Sequence, residues 1–237
     1  MQSRSLAIWT FAVTSVALVM VMLDNLVVST ALNVIRQELG ATIEQLEWTV
    51  NAYTLTFAVF LLTGAALGDR FGRRRMFIIG VTIFTAASAL AAMSTSVEML
   101  LVGRMAQGLG AAIVTPLTLT LLSASVAAER RGVALGAWGA VGGLAVAIGP
   151  LVGGAIVEGV AWNWIFWVNV PIGIALVPLA WFGLRESHGP AGRLDLPGVA
   201  LVSVGLLGIV WALVNGNGEG WMSPQIVAAF ALGTALV

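Results

Sequence analysis

The chain has no cysteine, one histidine and one tyrosine, and only 9% of its 237 residues are charged. All eleven basic residues are arginine. Without cysteine there is no disulfide, thiolate nucleophile or cysteine-ligated metal. The lone histidine, His188, falls in a polar break, so the paired histidines and carboxylates of an intramembrane metal site are missing. No serine or aspartate pair stands at catalytic spacing inside an apolar run, and enzyme chemistry is not expected. No glycine loop of the phosphate-cradling type occurs, which argues against ATP as a direct driver. The scarcity of charge excludes a soluble globule, where about a quarter of residues are charged. Ten-residue alternation is also absent, which excludes a membrane barrel.

What is present is apolar: 59% hydrophobic residues and 28 glycines. Runs of roughly 20 residues recur between short polar breaks, the length an α-helix needs to cross about 30 Å of hydrocarbon. The runs predict an all-α membrane protein with spans at 7–32, 48–67, 76–96, 99–121, 133–157, 164–183 and 196–214, and an eighth from about 223. A cleaved leader is the alternative for the first run, but counting it as a helix makes the charge pattern consistent. Arg4, Arg70, Arg73, Arg74, Arg75, Arg130, Arg131, Arg185 and Arg193 then share one side, against Arg36 alone on the other. The positive-inside rule places the N-terminus in the cytoplasm. Trp48, Trp162, Trp164, Trp167, Trp211 and Trp221 gather at the outer ends and Trp9 and Trp181 at the inner ones, as interfacial belts do.

Two charges lie inside the spans, Asp24 in the first and Arg104 in the fourth. Asp24 sits about 12 Å and Arg104 about 8 Å from the outer side, so they share a depth. A charge near the bilayer middle costs at least about 2.5 kcal/mol and calls for a partner or a wet cavity. Mutual neutralisation is one reading. A functional path is the other, since Gln107 and Thr115 lie on the Arg104 face.

Two further stretches stand out. In "GAALGDRFGRRR", Asp69, Arg70, Arg73, Arg74 and Arg75 crowd between two apolar runs, with Gly72 allowing a tight turn. The simple reading is a topology anchor. The richer one has Asp69 meeting the positive N-terminal end of a neighbouring helix and the arginines meeting carboxylates or helix C-terminal carbonyls. The fifth span, "GVALGAWGAVGGLAVAIGPLVGG", carries Gly132, Gly136, Gly139, Gly143, Gly149 and Gly153 at helical spacing, with Pro150 as a kink. Small residues in this pattern predict close packing of another helix.

These residues resemble the amino-terminal part of a major facilitator superfamily transporter, in particular its fourteen-span drug:proton antiporter branch. "LDNLVVSTALNVI" (23–35) is similar to the first-span motif, "GAALGDRFGRRR" to the signature between spans two and three, and "RMAQGLGAA" (104–112) to the fourth-span motif. "GPLVGG" (149–154) resembles the antiporter motif, and "WNWIFWVNVPIG" and "DLPGVALVSVGLLGIVWALVNGNGEGW" resemble spans six and seven. Leu26, Asn33, Ala65 and Asn163 depart from the usual patterns.

The resemblance implies a six-helix bundle over 1–183, then a cytoplasmic loop and additional helices over 184–237 leading to a second bundle missing from this chain. It implies roles in substrate and proton coupling for Asp24, Arg104 and Gln107. It implies a cytoplasmic gate formed by Asp69, Arg70, Gly72, Arg73 and Arg74, whose main partner lies in the missing bundle. Gly149, Pro150, Gly153 and Gly154 are implied to pack against that bundle and restrict leak. The expected function is proton-coupled export of drugs or other small amphipathic or cationic compounds across a bacterial cytoplasmic membrane, with no cofactor and no nucleic-acid partner. A metabolite, antibiotic or siderophore exporter, a symporter, and a truncated non-transporting protein remain alternatives.

Overall fold

The computed structural model describes residues 4–189 and 196–237; Arg193 and Asp195 lie outside the described residues. The protein is all-α among those residues, and seven of its helices are long and apolar enough to cross a membrane. They are α1 (Arg4–Leu39), α2 (Ile43–Phe71), α3 (Arg73–Ala92), α4 (Val97–Ser125), α5 (Arg131–Gly159), the pair α6 (Trp164–Trp167) and α7 (Asn169–Gly183), and α8 (Leu196–Glu219). A shorter apolar helix, α9 (Pro224–Leu236), follows. The sixth span is thus two helical segments meeting at Val168.

Several helices overrun the expected spans. The first continues to Leu39, so Arg36 and Glu38 are helical rather than in a loop. An apolar run measures the hydrocarbon thickness, whereas a helix continues until something stops it. Gly40, at φ 65, ends α1. Thr42 then starts α2 with a capping box: its hydroxyl accepts from the Gln45 N–H, and the Gln45 side chain accepts from the Thr42 N–H. Ser96 caps α4 with a single bond, its hydroxyl accepting from the Met99 N–H. At the same end of the bundle, the Trp162 indole donates to Glu38 at 2.8 Å and ties the segment before α6 to α1.

The fourth helix is the most enclosed. It packs against α2 and α3 and also touches α1, while α1 packs on α5 and α7 lies against α3 and α1. Two apolar clusters fill the bundle. One is centred on Val13, Tyr53, Phe77, Phe84 and Leu117, and the other on Val28, Ile35, Leu100 and Phe166. The polar residues near Asp24 lie between them in the chain, since Val21 belongs to the first cluster and Val27 to the second.

The glycines of α5 do not all pack as expected. Gly149 meets Leu26, and Gly153 meets Val27 and Thr30, so this part of the stripe seats α5 on α1. Gly132, Gly136, Gly139, Gly143 and Gly154 have nothing within 4 Å of where a Cβ would stand. The spacing identified small residues but not which of them face a neighbour within this chain. The tightest backbone approaches are elsewhere: a Cβ on Gly64 would stand 2.5 Å from the Ala112 carbonyl, and one on Gly108 2.5 Å from the Tyr53 carbonyl. These glycines bring α2 and α4 together.

Beyond the six-span core, α8 rests on α2 and pairs with α9. The Thr63 and Ser203 hydroxyls are 3.0 Å apart across the α2–α8 contact. Gly205 and Gly233 let α8 and α9 approach, each holding the other's carbonyl 2.7 Å from its would-be Cβ.

Candidate functional site

Five helices deliver polar groups to one buried cluster. Asp24 comes from α1, Thr49 and Tyr53 from α2, Ser88 from α3, Arg104 and Gln107 from α4, and Asn169 from the start of α7. Arg104 and Gln107 are three residues apart, the spacing that puts two side chains on one face of a helix. The cluster is sealed: Arg104, Gln107 and Ser88 are 0% exposed, Asp24 2% and Asn169 3%.

Both oxygens of the Asp24 carboxylate accept hydrogen bonds. Its Oδ2 accepts from Arg104 Nη1 at 2.6 Å, and its Oδ1 accepts from Gln107 Nε2 at 2.8 Å and Asn169 Nδ2 at 2.7 Å. Gln107 links the pair a second time, accepting from Arg104 Nη1 at 2.9 Å and donating to Ser88 Oγ at 2.8 Å. Arg104 Nε donates to the Thr49 carbonyl at 3.1 Å. The guanidinium carbon lies 4.3 Å from the Tyr53 ring centroid and 5.9 Å from that of Phe166, so aromatic faces replace water around the cation. Arg104 Nη2 is buried without a hydrogen-bond partner.

This geometry has a chemical consequence. A carboxylate offers about four lone-pair sites, and three are taken here, two on Oδ1 and one on Oδ2. A proton on Asp24 removes the negative charge that holds Arg104, so the ion pair is the contact that protonation weakens. Asp24, Arg104 and Gln107, singled out from the sequence, are brought together. Thr115 is not: its hydroxyl has no partner and takes no part in the cluster. Gln107 belongs to a buried network rather than the lining of a water-filled path. Asn169, Ser88, Thr49 and Tyr53 were missed. The only hint was Asn169 standing within the apolar run of the sixth span.

The arginine-rich loop forms a second cluster. Gly72, at φ 106, makes the turn from α2 into α3. Asp69 Oδ1 lies 2.8 Å from both Nε and Nη2 of Arg73. Within this chain, Glu186 is the carboxylate at the N-terminus of α3. Glu186 accepts from the Arg74 N–H at 2.9 Å and the Arg75 N–H at 3.2 Å, capping the first turn of α3, where a negative charge is favoured. Arg74 Nη1 points to the Trp181 and Leu184 carbonyls at the end of α7, at 3.3 and 3.4 Å. The arginines thus meet a carboxylate and helix C-terminal carbonyls, as expected, while Arg70 is exposed. Backbone bonds from Arg73 N–H to the Ser187 carbonyl and from Gly189 N–H to the Asp69 carbonyl complete the fastening of 185–189 to this loop. Nothing in the spacing distinguished Glu186 from an ordinary loop acid.

Loss of this cap is measurable. Glu186→Ala in the full-length protein is expected to lower stability by about 1 kcal/mol, the usual effect of a lost N-terminal cap, and to expose 185–189 to proteolysis. Wild-type melting and wild-type cleavage in detergent would reduce Glu186 to a bystander.

A family model described as Major Facilitator Superfamily matches residues 14–237. The chain belongs to the Major Facilitator Superfamily. Among curated relatives, this facilitator chain is 39% identical over 229 residues to the methylenomycin A resistance protein of Bacillus subtilis, covering 96% of this chain and 49% of that protein. It is 35% identical over 214 residues to the tetracenomycin C resistance and export protein of Streptomyces glaucescens, covering 90% and 40% respectively. The chain therefore spans half or less of the length of these relatives. Among solved structures, a bacterial homolog of the human lysosomal transporter Spinster, described as inward-facing and unoccupied, aligns with TM-score 0.60 at 16% identity, covering 98% of this chain and 60% of that one. A POT family transporter aligns at TM-score 0.63 and 14% identity, covering 100% and 52%. These likenesses show the shared helical fold of the facilitator bundle.

Proposed function

We propose that this chain is the amino-terminal part of a proton-coupled exporter of drugs or other small amphipathic or cationic compounds, set in a bacterial cytoplasmic membrane with its N-terminus inside. The observation that carries the reading is the buried Asp24 carboxylate, held by Arg104, Gln107 and Asn169. Asp24 is the proton carrier. When a proton arrives, Arg104 is released from Oδ2 and its charge seeks another partner, which changes the field that a cationic substrate meets. An ion pair with two alternative arrangements is what couples a proton to a conformational equilibrium. The proton gradient is the driving force, and no cofactor is required.

A second bundle supplied by the rest of the full-length protein completes the transport path, since alternating access moves one bundle against another around a midplane site. The glycines of α5 that find no neighbour here, with Pro150 and Gly154, are the face on which that bundle packs. The loop of Asp69, Arg70, Gly72, Arg73 and Arg74 is its latch on the cytoplasmic side, and the 42% exposure of the Asp69 side chain leaves it accessible to a further partner.

The decisive experiment uses Asp24→Asn, which keeps the shape and removes the titratable proton. Full-length protein in liposomes with an imposed pH gradient is expected to lose gradient-driven transport of a cationic dye while still inserting. Intact dye export with intact proton release would end the proposal. A relative such as the tetracenomycin C resistance and export protein favours a second reading, export of one particular antibiotic. Selective sensitivity of a deletion strain to one antibiotic distinguishes it from broad drug export.

A further inference from the structure

Between α1, α5 and the sixth span lies a cleft of about 190 Å³ that reaches Asp24 and Asn169. Apart from Ser15, Asp24 and Asn169, its lining is aliphatic, with Met20, Val152, Ile156 and Ile172 among the walls. No residue of α2, α3 or α4 lines it. The reason it exists is a gap in the packing: α5 packs on α1 and touches α6, and no comparable packing joins it to α7. Val16 and Val168, also in the lining, are 45% and 38% exposed and mark the mouth.

Water is a poor occupant. An ordered buried water needs two to four polar partners. Here the Asp24 oxygens and the Asn169 amide nitrogen already carry hydrogen bonds within the cluster, and the Ser15 hydroxyl is a buried lining oxygen without one. An empty cleft forfeits dispersion contacts along its whole lining. A dry apolar cavity of about 150 Å³ takes up a benzene-sized hydrocarbon, and the medium around membrane-length apolar helices is itself hydrocarbon.

We propose that the cleft takes an acyl chain of a bilayer phospholipid, with its terminal methylenes against the wall formed by Asp24 and Asn169. The chain fills the space beside the ion pair and bars water from Asp24 on that side. This inference is independent of the transport reading, because it concerns what occupies the cleft and not what crosses the membrane.

The test uses full-length protein reconstituted with phosphatidylglycerol carrying a diazirine at the acyl terminus, followed by illumination and mass-spectrometric mapping of adducts. Adducts are expected on Met20 and Ile165, cleft residues that are 1% and 3% exposed and out of reach of a chain outside the bundle. Val152→Trp, which fills the cleft, is expected to remove those adducts while leaving unchanged the adducts on Phe182, which is 85% exposed. Labelling confined to exposed positions such as Phe182 overturns the proposal, including where the second half of the protein covers the mouth. Cleft adducts that survive Val152→Trp overturn it equally.

Discussion

Replacing Arg104 by alanine in the full-length protein is expected to abolish export and to lower stability by about 3–5 kcal/mol, the cost of stranding one member of a buried ion pair. Every contact of the guanidinium points to that result. Asp24, at 2% exposure, loses the donor 2.6 Å from its Oδ2 and keeps only two neutral amides on Oδ1. The Thr49 carbonyl loses its Arg104 donor, and the Tyr53 ring loses the cation 4.3 Å from its centroid. Lysine is a poor substitute, because a single ammonium cannot reproduce a planar fork that reaches Thr49 in one direction and Asp24 and Gln107 in another. A paired replacement separates stability from function: Asp24→Leu with Arg104→Met removes both charges, and is expected to recover most of the lost stability but none of the export. Thermal unfolding in detergent beside transport in liposomes gives both readouts. A single Arg104→Ala variant that melts like the wild type would show that Asp24 is hydrated or otherwise paired, and the sealed cluster would be wrong.

That pair was legible in the sequence because charges inside apolar runs are few, and 1.5 Å per residue placed Asp24 and Arg104 at one depth before any contact was known. Of the residues that support the pair, Gln107 was legible too, on the Arg104 face, and the rest were not. Hydroxyls in membrane helices commonly bond their own backbone one turn back, as Thr14 does to the Thr10 carbonyl and Thr85 to the Val81 carbonyl. Ser88 does the same with the Phe84 carbonyl and accepts from Gln107 besides, and no spacing rule separates it from the others. Glu186 was hidden for a different reason. Its importance comes from the fold returning the end of α7 to the start of α3, a contact across 112 residues. The glycine stripe of α5 was legible only in part, since Gly149 and Gly153 seat it on α1 while its other glycines find no neighbour within this chain. Density of small residues drew attention to α5, whereas the backbones approach most closely at Gly64 and Gly108, in less glycine-rich spans. Composition counts small residues; packing depends on which side of the helix they occupy.

Gly108 therefore carries the other large expected effect. A side chain there starts 2.5 Å from the Tyr53 carbonyl oxygen and 3.2 Å from the Phe57 nitrogen, both backbone atoms that cannot rotate away. Gly108→Leu must push α2 and α4 apart. Ordinary overpacking costs about 1–3 kcal/mol where side chains can adjust, and this site offers no such adjustment, so the loss is expected at or above the top of that range. The damage also reaches the ion pair. Arg104 lies one turn from Gly108 on α4, and its Nε bond is to Thr49 on the helix being displaced. Gly108→Leu is accordingly expected to cut the yield of folded protein from membranes sharply and to leave no export in what remains. Gly143→Leu on α5 is the matched contrast, because nothing lies within 4 Å of its would-be Cβ. It is expected to insert and fold at wild-type yield and to alter export alone, through the face proposed to meet the second bundle. Yield of monodisperse protein in detergent, measured on both variants together, decides the matter: equal losses would mean that glycine content, not the α2–α4 approach, governs assembly of this half.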